Sequence, residues 1–101
     1  MKMVVIMSVD AYASTLEKMY AEHQVPVFSE LNIEGFRLDE PDVSRENWFG
    51  RTHTALYTKL TFAFVSDDKS TELLAAVDEY NRDQSGISPI RAFQMQVEKS
   101  V

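Results

Sequence analysis

An α+β domain, with a four-stranded antiparallel sheet and two helices on one face, is predicted for this 101-residue chain by three observations. The stretch Lys59 to Asn81 reads as a strand, a two-aspartate turn and an amphipathic helix. The stretch Met3 to Gln24 has the same order, a short apolar run followed by helical spacing. Two further stretches, 27–34 and 93–98, alternate apolar with polar residues at the period of two that a pleated strand requires.

The elements follow in order. Met3 to Ser8 is a continuous apolar run suited to the centre of a sheet covered on both faces. Asp10 stands where a helix cap belongs, and Tyr12, Leu16, Met19, Tyr20 and His23 fall along one helical face behind it. Pro26 biases Val25 away from helical dihedrals, so this helix ends near Gln24. A second strand follows, with Val27, Leu31 and Ile33 alternating against Phe28, Glu30, Asn32 and Glu34, and Gly35 closes it. Residues from about 36 to 57 show neither period and form a long loop, a feature that in compact domains usually carries function. In the next strand Leu60, Phe62 and Phe64 make a large face and Thr61, Ala63 and Val65 a smaller one, both compatible with burial in an inner strand. Asp67 or Asp68 then caps a helix whose apolar stripe is Leu73, Leu74, Val77 and Tyr80, and Arg82 near its end suits the helix dipole. After Gly86 and Pro89, Phe93, Met95 and Val97 alternate with Gln94, Gln96 and Glu98 in the last strand. Strand, helix, strand, strand, helix, strand is the split βαβ order of a ferredoxin-like fold, here a single domain over residues 1–101.

Composition narrows the function classes. A net charge of -6 works against phosphate backbones and anionic membranes, so nucleic acid is not an expected partner, and no apolar run approaches the roughly 18 to 20 residues of a membrane-spanning helix. Without cysteine there is no disulfide framework, thiol nucleophile or thiolate metal site. The opening MKMVVIMSVD reads as a first strand of a cytoplasmic protein, since it soon meets Asp10 and lacks a small-residue cleavage motif. A domain of this size buries a moderate share of its surface alone, which favours self-association.

Three pieces of the chain resemble the P-II nitrogen regulatory proteins and their P-II-like relatives. The run Ser29 to Phe36, ending Ile33-Glu34-Gly35-Phe36, is similar to the strand that enters that family's Gly-Phe-Gly turn and long loop. Phe64-Val65-Ser66-Asp67-Asp68 resembles its third strand and second helix, and Arg91-Ala92-Phe93 with Val97-Glu98-Lys99 resembles its last strand. The resemblance implies a cytoplasmic homotrimer that is not an enzyme, with sheets facing inward and helices outside. It also implies a small effector held in inter-subunit clefts and a central loop that contacts a transporter or enzyme. On this sequence the effector set is Gly35, Phe36, Arg37 and Arg91, and the loop set is Trp48, Phe49, Arg51 and His53.

The sequence departs from the family where an adenine nucleotide would sit. Arg37 replaces the second glycine of the turn, and Ser88-Pro89-Ile90 replaces the glycine-rich phosphate-holding turn. The basic C-terminal extension is missing after Val101. Pro89 has no N–H to offer a phosphate. The cofactor is therefore left unknown, and the expected ligand is a small anion gripped by the forked donors of Arg37 and Arg91.

Rival readings use the same residues. Trp48-Phe49 is either a partner platform or an anchor for the loop. His53 with Asp39, Glu40, Asp42 and His23 matches no metal-ligand spacing, and a solvated acidic loop explains them, so no metal site is assigned. His23 reads as a half-buried helix end rather than a base, and the methionines as packing residues. Glu30, Glu34, Gln94 and Gln96 are solvated strand-face residues, or cross-interface partners in a trimer of facing sheets. Two alternatives stand beside the regulator: a small dimeric ferredoxin-like enzyme of the monooxygenase kind, with Trp48 and His53 in an apolar cavity, and a CutA-like trimer that binds divalent cations.

Overall fold

The structure, a computed structural model, describes residues 1–36, 56–84 and 89–101. Its elements are β1 (Lys2–Ser8), a 3-10 turn (Asp10–Tyr12), α1 (Ala13–Glu22), β2 (Ser29–Asn32), β3 (Lys59–Val65), α2 (Asp67–Arg82) and β4 (Ile90–Gln96). The strands form one antiparallel sheet in the order β2-β3-β1-β4, with both helices on one side, which is the ferredoxin-like arrangement.

Alternation on the two inner strands decides which side the helices cover. Val4, Ile6 and Ser8 of β1 and Thr61, Ala63 and Val65 of β3 are buried, and register sets Val4 against Ala63 and Ile6 against Thr61. The helices close over that face with Leu16, Met19 and Tyr20 from α1 and Leu73 and Val77 from α2. Fully burying a side chain such as Leu16 or Leu73 contributes about 1.5–3 kcal/mol. Aromatic contacts complete this layer: Tyr20 stacks on Phe28 at 4.3 Å between centroids, and Tyr12 meets Tyr80 edge-on at 6.1 Å.

The helix ends differ in part from the sequence reading. Asp10 caps no helix, because Asp10–Tyr12 forms a tight turn of its own before α1 starts. Its carboxylate accepts instead from the Thr58 hydroxyl at 3.4 Å and lies 3.9 Å from Lys59 Nζ. For α2 the cap is Ser66, whose Oγ accepts from the Lys69 N–H at 3.2 Å, and the two aspartates occupy the first helical turn. There their charge still favours the positive end of the helix dipole. Helix α1 ends as Pro26 implies: Gln24 takes a left-handed φ of 61°, its N–H reaches the Ala21 carbonyl, and the Val25 N–H reaches that of Tyr20. That pair of bonds is a Schellman motif.

The second strand is shorter than its alternation suggests. Only Ser29–Asn32 pair with β3, all of them exposed, and Val27 is 76% exposed. It is an edge strand next to β3 alone, so most of its side chains meet solvent.

Candidate functional site

The candidate site is the sheet face opposite the helices, together with its Arg91 end. Directly paired residues in an antiparallel sheet share a face, so register reads this side off in three rows. Leu31, Leu60, Met7 and Arg91 form one row; Ser29, Phe62, Val5 and Phe93 the next; Phe64, Met3 and Met95 the third. No described helix lies on this side, and Leu31, Phe64 and Met95 are 48%, 56% and 47% exposed. Seven-residue strands at about 3.3 Å per residue and four strands about 4.8 Å apart give the face a footprint of roughly 400 Å². A patch of that size is in the range of the largest apolar patch on an ordinary monomer, which is often functional.

The first strand was expected to be covered on both faces, and among the described residues helices cover one. Its outward residues Met3, Val5 and Met7 are apolar because the open face is apolar. Gln94 and Gln96 of the last strand are exposed, as solvated strand-face residues are. Gln94 and Gln96 lie on the helix side, where the Ser70 hydroxyl donates to Gln94 at 2.5 Å and Lys2 Nζ donates to Gln96 at 2.9 Å. Glu30 is also on that side, 3.4 Å from Lys59 Nζ. On the open face β4 places Arg91, Phe93 and Met95.

Arg91 is the sole charged side chain among the described residues of this face. It is half-buried, its guanidinium carbon lies 5.9 Å from the Phe93 ring centroid, and no carboxylate among the described residues pairs with it. An electrostatic neighbour is the buried Tyr57. Burial pushes the Tyr57 phenol above its ordinary value, and the positive charge of Arg91 opposes that rise. Gly35 comes against the same segment: a Cβ there would lie 2.9 Å from Leu56 Cβ and 3.2 Å from the Tyr57 carbonyl oxygen. The exit of β2 and the entry to β3 thus need glycine for close approach. The next residue, Phe36, is 74% exposed.

Of the expected effector set, Gly35, Phe36 and Arg91 are in the described structure, with Gly35 against the Tyr57 segment and Arg91 acting electrostatically on Tyr57. Arg37 and the loop set Trp48, Phe49, Arg51 and His53 lie outside the described residues, as do the rest of the expected loop up to residue 55 and the turn at Gly86. Tyr57 was missed by sequence reasoning, which left it at the end of a loop; an aromatic two residues before a strand was the available signal. His23 is, as expected, a half-buried helix end. Its Nδ1 lies 3.5 Å from Glu72 of α2, whose carboxyl is held below its ordinary value by Lys69 first and His23 second. That pair sits in the helix layer, as does an apolar hollow of about 300 Å³ lined by Ala21, Gln24, Val25 and Pro26. Among the described residues no group of three or more His, Asp or Glu is arranged to hold a metal ion, and no helix is long and apolar enough to cross a membrane.

Neither a family model nor a curated protein sequence matches the chain.

Proposed function

We propose that this chain is a P-II-like regulatory protein of the cytoplasm. Three copies cover one another's open sheet faces, a small anionic effector binds at Arg91 in the clefts between them, and the central loop carries the signal to a transporter or enzyme. It performs no catalysis of its own. The observation that carries this reading is the apolar sheet face on which Arg91, at one edge strand, is the one cation among the described residues. An exposed surface of Val, Met, Leu and Phe gains most by packing against another apolar surface, and a second copy supplies a matching one. The footprint of roughly 400 Å² is about half of the ~800 Å² that each partner gives a standard interface. The β2 and β4 edges therefore take part as well, which suits a ring in which each copy meets two neighbours.

Arg91 gives such an assembly its ligand chemistry. Packing against a neighbouring copy removes water from its guanidinium, and in a chain of net charge -6 a desolvated fork of N–H donors selects a carboxylate or phosphate ligand. The close packing of Gly35 on the Tyr57 segment supports the same reading, because it fixes where the chain leaves β2 for the loop. The experiment is a thermal-shift screen of nucleotides, other anions and divalent metals. At least one anion is expected to raise the melting temperature of the wild type and to lose that effect in Arg91→Ala, whose own assembly is unchanged. A response to divalent metals alone would favour the CutA-like alternative, and an assembly of two chains would favour the dimeric enzyme.

A further inference from the structure

Three of the five methionines, Met3, Met7 and Met95, stand on the open sheet face, and Met1 continues the alternation of β1 at its margin. The fifth, Met19, is in the core and 8% exposed. On this observation we propose that the assembly is redox-gated: oxidation of the face methionines by a peroxide holds the protein as separate, folded chains. The inference rests on the reading of this face as the surface between copies.

The chemistry is a two-electron oxygen transfer. A thioether sulfur attacks one oxygen of hydrogen peroxide, the O–O bond breaks as the S–O bond forms, and water leaves. The sulfur is oxidised to the sulfoxide and the peroxide is reduced. Each event turns an apolar, flexible side chain into a polar one with a strong acceptor oxygen. Among the described residues of this face, Ser29 and Arg91 alone carry polar side-chain groups, so a sulfoxide in the Met3 and Met95 row would be buried among apolar neighbours without a donor. In the separate chain the same oxygen meets water. Oxidation therefore favours the separate chain and leaves the helix-side core, where Met19 is shielded, intact. Met95 is 47% exposed in the single chain, so subunit exchange presents it to the oxidant. The change is reversible, because sulfoxide reductases return the thioether.

The test treats the wild-type protein with dilute hydrogen peroxide and follows mass by light scattering, helix content by circular dichroism and oxygen addition by peptide mass spectrometry. The expected result is oxygen on Met3, Met7 and Met95 but not on Met19, a fall in mass to one chain, and unchanged helix content. A sulfoxide reductase with its thiol reductant should restore the mass. The variant carrying Met3→Leu, Met7→Leu and Met95→Leu should keep its assembly under the same treatment. An oxidised protein that stays assembled overturns the proposal. So does loss of helix content along with mass, or equal dissociation of the leucine variant. If the untreated wild type is already a single chain, the reading of the face as an interface fails first and this proposal fails with it.

Discussion

Tyr20 shows how one side chain joins the two layers. Its hydroxyl meets Thr61 Oγ1 at 2.7 Å in the buried core, and its ring stacks on Phe28. Tyr20→Phe removes that hydrogen bond and should cost about 1 kcal/mol in urea melts, the usual net worth of such a bond. Burial also raises the Tyr20 phenol above its ordinary value of 10.0, against the weaker lowering by Thr61, and Tyr57 is raised for the same first reason. A raised folded-state value means that the native state holds the phenolic proton more tightly than the unfolded chain does. The stability it contributes is fully present below pH 10 and is lost as the pH rises through the folded value. Alkaline unfolding followed by tyrosine absorbance should therefore begin above pH 10 in the wild type. Tyr20→Phe should show a shallower decline. At Gly35 the expected effect is steric: Gly35→Ala places a methyl 2.9 Å from Leu56 Cβ and should destabilise by about 1–3 kcal/mol, measured by thermal melting.

At the scale of elements, what the sequence made legible and what it hid divide along physical lines. Strand β3 and helix α2 were legible because their periods are long, strong and agree with their burial: Leu73 and Val77 are buried as their spacing requires. Cap identity was not, because Ser66, Asp67 and Asp68 stand side by side and each has an oxygen able to accept from the first turn. Backbone geometry chose Ser66, which is extended at φ -69°, ψ 163°. Ser66→Ala should accordingly cost about 1 kcal/mol of stability, and Asp67→Ala less, in paired denaturant titrations. The end of α1 was legible from Pro26, whereas the left-handed Gln24 was not, since glycine is the usual signal there. Gln24→Gly relieves that strain and is expected to raise stability by a few tenths of a kcal/mol up to about 1 kcal/mol. Which side of β4 faces the helices was not legible, because period-two alternation states that two faces differ without saying which one is covered. Ser70, three residues before the apolar stripe of α2, settles it by pairing with Gln94.

For the whole molecule, the fold was legible from element order alone, while the site was legible only as separate residues. Gly35 and Arg91 were named from the sequence; that the Tyr57 segment packs on the one and Tyr57 feels the charge of the other depends on the sheet order, which sets β1 between β3 and β4. The methionines looked scattered because Met3 and Met7 are far in sequence from Met95, and register alone sets them on one face. The central claim is that this face is covered by other copies of the chain. It is tested most directly by light-scattering mass measured on the wild type and on Phe64→Asp, a substitution at the most exposed aromatic of the face, away from the helix-side core. The expected masses are about three times 11.6 kDa for the wild type and one chain, with native circular dichroism, for the variant. A wild type at 11.6 kDa, or a Phe64→Asp protein that keeps the wild-type mass, would contradict that claim.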